Sequence, residues 1–418
     1  MKKNGFTLVE ITVCVVLLVT IFLIVVPKVN TMINNKKKNA YNSLISAVKD
    51  AAQAYVYLNV NIVDDAIESQ GYYEVSIRTL QENELLENKL ENPLTGKNIP
   101  STSIVKIIKN NEEYIYKFSL DYQYLLEHII DLYSSEETRT SNGLKKDNTE
   151  DKNIRYYGSD PNNYVSFNNE LWRIIGVFGN NVKLVRKDSL GSLSWDSSES
   201  SINGGFGVNE WSQADLKNYL NTMYYGGTTV TCYDGTKNST TTCPTNILDN
   251  TAKTLIDNHT WNTGAIEYNT RTDTVAFYKD ERGNQTGKIC NGGTFCSDTV
   301  ERTTTWPGYI GLPYPTDYAY ASGENICETN MVKQDSSDAY ICENNNWMFK
   351  SIWYWTLSPF ARSANSRYVW YVNGDGDVNN SNAASGGAVF PAIYLKSNVL
   401  IESGAGTSSN PYILKAGS

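Results

Sequence analysis

Few side chains in this sequence have the types and spacing for chemistry. Histidine occurs twice in 418 residues, at His128 and His259. That leaves little for imidazole metal binding or acid–base work, and both read as surface or capping residues. No G-x-S-x-G offers a serine nucleophile. The run GNQTGK at 283–288 is one residue short of a phosphate loop, and Ile289 follows where Ser or Thr is needed. In NGDGDVNN, Asn373, Asp375 and Asp377 alternate as calcium ligands do. Val378 nevertheless stands at the loop's glycine position and no glutamate closes it. The flanking YVWYV favours a hairpin closed by Asn-Gly or Asp-Gly. No catalytic residue, metal ligand or cofactor site is assigned, and the expected class is a binding protein, not an enzyme.

Cysteine chemistry is more informative. Of seven cysteines, Cys14 lies in an apolar run, where a thiol packs as a small hydrophobe. The other six are Cys232, Cys243, Cys290, Cys296, Cys327 and Cys342, all in Thr/Asn/Gly-rich stretches. An even count confined to one part of the chain points to disulfides and an extracellular setting. Sequential pairing is the simplest connectivity. Zinc is the alternative, but no C-x-x-C occurs and only two histidines could help.

One carboxylate is out of place. From Phe6 to Val26 the only strongly polar residue is Glu10. Roughly 20 apolar residues span a bilayer core of ~30 Å, and a carboxylate there costs on the order of 2–3 kcal/mol unless paired. The run ends Val25-Val26-Pro27-Lys28, which is no signal-peptidase site. Lys28 and Lys36 to Lys38 after the run favour the opposite orientation to Lys2 and Lys3 before it; the order of residues around Glu10 and the cysteines outweigh that count. Beyond it, Tyr41, Leu44, Ile45, Val48, Ala52 and Tyr55 follow the spacing of an amphipathic helix. One helix from Phe6 to about Leu58 would be ~80 Å long.

The opening KKNGFTLVEI resembles the class III leader of type IV prepilins over about the first 30 residues. The resemblance implies a leader at 1–5, cleavage between Gly5 and Phe6 by a prepilin peptidase, and N-methylation of Phe6. It also implies residence in the cytoplasmic membrane before assembly with other pilin subunits into a helical filament. Glu10 would neutralise the new α-amino group of the adjacent subunit, and a buried pair of that kind sets register. Pro27 falls where such pilins often kink or melt the helix.

The expected fold class is α+β: a long N-terminal transmembrane and amphipathic helix (6–58) with a small pilin-type antiparallel sheet (59–134), a linker (135–153), and a β-rich α+β disulfide-stapled domain (154–418). SIVKIIK and EYIYKFSL read as a hairpin after the NPLTG turn, and LLEHIIDLYSS as a closing helix. The segment SEETRTSNGLKKDNTEDKN lacks apolar periodicity. From Ile154, short apolar runs alternate with Asn-Asn, Gly-Asn and Asp-Pro turns, and WSQADLKNYLNTMYY reads as a helix with Ser212 and Asp215 as its capping box.

NYVSFNNELWRIIGVF, WTLSPF, FPAIYLKSNVLI and GTSSNPYIL resemble surface domains of gut-type Firmicutes, more distantly similar to C-type-lectin-like folds, including formylglycine-generating enzymes. Calcium-dependent sugar-binding triplets are absent. Dense aromatics interleaved with small polar residues suit a recognition surface. The candidate ligand-binding positions are Trp370, Tyr371, Asn373, Asp375, Asp377, Asn379, Asn380 and Asn382. A net charge of −9 argues against nucleic acid as a partner. The functional expectation is a pilin-like surface subunit, minor or at the tip, presenting an extracellular adhesion domain. A pseudopilin of a secretion or DNA-uptake machine is the alternative, and a formylglycine-generating-like enzyme a further one.

Overall fold

A computed structural model describes residues 36–417 apart from 38, 94–97, 102, 111–112, 119–122, 135, 199–203, 268–272, 284–302, 333–341 and 362–365. The chain divides into two compact units, Met1–Gln123 and Tyr124–Ser418.

In the first unit, helix α1 (residues 39–58) buries Val48, Ala51, Ala52, Tyr55 and Val56. Its opposite face stays in solvent, so the helix is amphipathic rather than apolar all round. It breaks at Asn59, whose side-chain amide donates to the Tyr55 carbonyl at 2.9 Å. Helix α2 (Val60–Gln70) follows and stops at Gly71, whose φ of +86° gives the left-handed residue that ends a helix without Cβ strain. Strands β1 (Tyr73–Ser76), β2 (Ile104–Asn110) and β3 (Glu113–Phe118) form a three-stranded antiparallel sheet. Between β1 and β2, helix α3 (Ile77–Glu82) is capped by Ser76, whose hydroxyl accepts from the Thr79 N–H. Val75, Ile77, Leu80, Val105, Ile107 and Phe118 close the core with α1.

The expected transmembrane helix is corrected here. Among the described residues no helix is long and apolar enough to cross a membrane. Within the described residues α1 ends at residue 58, where the rod was expected to end, and α2 follows the break at Asn59. The run Phe6–Val26, with Glu10, and the flanking Gly5 and Pro27 lie outside the described residues. The fold class is β-rich α+β with disulfides.

The second unit begins earlier than the sequence suggests. Helix α4 (Leu125–Ser134), read as the closing helix of the first unit, buries Leu125 and Ile129 in the core of the second. The segment 135–153 is no linker: it holds helix α5 (Glu136–Ser141) and strand β4 (Leu144–Lys146), which pairs with β5 (Ile154–Tyr156). Order there comes from polar contacts that hydrophobic periodicity cannot show. Buried Asp147 accepts from Thr149 Oγ1 (2.6 Å), Asn153 N (3.0 Å) and Arg155 Nε (2.9 Å).

One large sheet carries β6 (Tyr164–Phe167), β7 (Glu170–Phe178) and β8 (Asn181–Arg186) in consecutive antiparallel order. The β6–β7 turn is Asn168-Asn169, with φ of +57° and +55°, the geometry of a two-residue primed turn that asparagine tolerates. A second sheet runs β9 (Ser192–Ser194), β14, β11, β12, β13, where β11 is Tyr354–Ala361, β12 Tyr368–Val372, β13 Val378–Asn382 and β14 Gly386–Ala388. Strand β10 (Ile310–Gly311) and β15 (Ala392–Leu395) extend the large sheet beyond β8. On its other side β17 (Tyr412–Ala416) pairs in parallel with β6 and antiparallel with β16 (Val399–Ser403). Where a helix with a Ser212/Asp215 capping box was expected, Glu210 caps a 3₁₀ turn, a four-residue α-turn follows, and Tyr219–Tyr224 is π-helical. Asp215 instead accepts from the Ser197 N–H.

Two disulfides staple this unit, Cys232–Cys243 and Cys327–Cys342, with Cα separations of 5.2 and 5.4 Å. Cys290 and Cys296 lie outside the described residues.

Candidate functional site: a cationic aromatic recess

Of the eight expected ligand-surface residues, Trp370 and Asp377 are buried. Trp370 is fully buried, packed edge-on against Phe277 and tilted on Phe360, with its indole N–H on the Ile266 carbonyl. Asp377 is buried as well and shapes the β12–β13 turn. Its carboxylate accepts from the Asn373 amide at 2.9 Å, while its carbonyl accepts from the Asn373 N–H. Gly376 sits at φ +91° against the Glu343 backbone, where a Cβ would not fit. Tyr371, Asn373, Asp375, Asn379, Asn380 and Asn382 are partly buried. The stretch is thus a hairpin whose polar side chains tie its own turn. Among the described residues no group of His, Cys, Asp or Glu could hold a metal ion.

A different place in this unit has the geometry of a binding site. A shallow recess, with enclosed room for about one water, is lined by Arg173, Lys187, Trp347, Tyr354 and Phe390 together with Lys350. Each element supplies one part. Arg173 projects from the middle of β7, whose neighbours Trp172 and Ile174 are buried on the other face, as strand alternation requires. Arg186 ends β8 and Lys187 follows it. Tyr354 opens β11, and its hydroxyl donates to the Met348 carbonyl at 3.1 Å, fixing the 347–350 loop. Trp347 is anchored by its indole N–H on the Tyr156 carbonyl at 2.9 Å.

Charge at the recess is uneven. Arg173 is held by Asp160 at 3.0 Å and by the Asn163 side chain at 2.7 Å, and its guanidinium lies 4.8 Å from the Trp347 ring centre. Arg186 pairs with Glu170 at 3.0 Å, and Lys187 with Asp188 at 3.5 Å. Lys350 differs: among the described residues no acidic side chain comes within ion-pair reach of it, and its ammonium stands 5.7 Å from the Phe390 ring centre. Burial pushes Lys350 down to about 8, with the like charges of Arg173 and Lys187 adding and Asp188 opposing. A half-buried cation short of a counter-charge is arranged to take an anion.

Sequence reading passed over these residues. Arg173 has a local signal, a cation amid the apolar run of ELWRIIGVF, which a buried strand accepts only with partners. Lys350 has none, because its meaning depends on Arg173 and Lys187, far away in sequence. No family model, curated protein or solved structure matches this chain.

Proposed function

We propose that this chain is a pilin-like surface subunit, minor or at the tip of its filament, whose second unit binds the acidic end of a glycan. The observation that carries the binding role is Lys350, with no carboxylate in ion-pair reach among the described residues, at the mouth of a recess walled by Trp347, Tyr354 and Phe390. A carboxylate at the tip of a glycan meets the Lys350 ammonium at the mouth of the recess, while the buried Trp347, Tyr354 and Phe390 hold the walls beneath it. Support for the subunit role comes from the leader KKNGFTLVEI and from the first unit, an amphipathic helix packed on a small antiparallel sheet. The two disulfides suit an oxidising, extracellular setting.

Two measurements test the reading. Mass spectrometry of filaments sheared from cells is expected to find a chain starting at N-methylated Phe6. A Met1 start there would overturn the subunit role, and a processed chain absent from sheared material would point to a pseudopilin. The purified full chain is expected to bind glycans ending in N-acetylneuraminic acid and to ignore their galactose-ended counterparts. Equal binding to both would refute the recess as the site.

A further inference from the structure

The core of the second unit contains a lysine and an aspartate held as reactants rather than as an ordinary ion pair. Lys183, on β8, and Asp317, on helix α7 (Pro315–Ala321), meet with Nζ 2.6 Å from Oδ2, and both side chains are wholly inaccessible to solvent. Tyr314 crowds the ammonium, with its ring centre 4.1 Å away, and Trp261, Tyr394 and Phe178 stand within 5.5 Å. The carboxylate is fixed on both oxygens. Oδ1 accepts from Arg155 Nη1 at 2.6 Å, and Oδ2 also accepts from the Tyr314 N–H at 2.9 Å. A third carboxyl, Glu281 near the end of helix α6 (Thr274–Gly283), is equally buried. It accepts from Thr316 Oγ1 at 3.3 Å, one residue before Asp317. Its charge acts on both Lys183 and Asp317.

We propose that Lys183 and Asp317 condense into an intramolecular amide that cross-links β8 to α7. The ammonium and carboxylate lose one water between them: Nζ bonds to Cγ, Oδ2 leaves with two of the ammonium hydrogens, and Oδ1 remains as the amide carbonyl. No oxidant or co-reactant is needed. Arg155 stays on Oδ1, where negative charge develops during attack. Glu281, bonded to Thr316 Oγ1 and beyond ion-pair distance of Lys183 Nζ, carries the proton from the nitrogen to the departing oxygen by way of a water. Burial pushes Lys183 down to about 8, which brings a neutral amine within reach, and Glu281 up to about 8. At Asp317 burial acts upward, but Lys183 and Arg155 outweigh it and hold the carboxyl ionised, so its activation depends on proton delivery.

Charge balance supports the step. The cluster holds three cations, Lys183, Arg155 and Arg282, and three acids, Asp147, Asp317 and Glu281. Buried ion pairs carry a desolvation cost that their attraction often fails to recover. The amide removes one cation and one anion together. Arg155–Asp147 at 2.9 Å and Arg282–Glu281 at 3.3 Å then remain as matched pairs. Proximity of this kind supplies much of the barrier lowering in intramolecular acyl transfer.

The experiment is intact mass on the full chain, with disulfides reduced, followed by tryptic mapping. The expected chain is lighter by one water, with a branched peptide joining residues 183 and 317 and no cleavage after Lys183. A full-mass chain cut after Lys183, or a water loss mapped elsewhere, would overturn the proposal. This measurement needs no variant, so misfolding cannot obscure it. Glu281→Gln keeps the shape of the side chain and is expected to yield full-mass protein of unchanged circular dichroism. Cross-link formation in that variant at the wild-type rate would remove Glu281 from the mechanism.

Discussion

Raising the pH from 7 to 9 should weaken binding of N-acetylneuraminic acid about tenfold, and Lys350 should account for the whole change. The argument starts from its ammonium, whose pKa burial lowers to about 8 in the unliganded recess. The charged fraction is then roughly 0.9 at pH 7 and roughly 0.1 at pH 9. An anion that requires the charged form loses affinity in that proportion, equivalent to ~1.4 kcal/mol. The ligand's carboxylate is ionised throughout the window and adds no slope. Replacing Lys350 with Met keeps length and apolar bulk while deleting the charge. Such a variant should bind at least tenfold more weakly at pH 7, since one charge-assisted hydrogen bond contributes about 1.5–3 kcal/mol. It should also show no change between pH 7 and 9. Isothermal titration of the full chain at both pH values, in wild type and Lys350→Met, reads all four numbers. A wild-type dissociation constant that is flat across the range, or a slope that survives in the variant, would refute the reasoning.

Removing one disulfide by the double change Cys232→Ser, Cys243→Ser should cost about 3 kcal/mol, because the closed loop spans 11 residues; guanidinium denaturation would show a lowered midpoint. Gly176→Ala should destabilise by on the order of 3 kcal/mol, since a Cβ there would lie 2.0 Å from the Ile154 carbonyl oxygen. Thermal unfolding of the purified variant checks it, and an unchanged transition would contradict the close β5–β7 approach. Burial lowers the pKa of His128, which contacts the Tyr412 hydroxyl at 2.9 Å. The folded state therefore binds fewer protons than the unfolded one, and stability should fall as pH drops below 6.5 toward the lowered value. Denaturation midpoints at pH 7 and 5 should differ less in His128→Phe than in wild type.

How much was legible in the sequence depends on the distance over which each feature is built. The Asn168-Asn169 turn, the β2–β3 hairpin and two sequential cysteine pairs rest on neighbouring residues, and the structure has them where local rules put them. The segment 135–153 misled because its order depends on Asp147 accepting bonds from Asn153 and Arg155, and such polar ties leave no hydrophobic period. The aromatic hairpin misled differently. In YVWYV the adjacent Val369 and Trp370 are both buried, so both faces of the strand are covered, and a run of five apolar residues does not disclose that by itself. The recess was out of reach, since β7, the 347–350 loop and Phe390 meet only through the tertiary fold.

The parallel pairing of β17 with β6 bears on how the second unit is made. It joins Val165 to Tyr412, about 250 residues later in the chain. At about 5–20 residues per second, a ribosome needs on the order of 10–50 s to deliver the second strand after the first. Throughout that interval β6 has an unfilled edge, which is a template for joining another chain. Productive folding of this unit is therefore favoured when the nascent chain is kept extended, or exported, before its large sheet begins to close, and slow translation late in the message would raise the yield of aggregates.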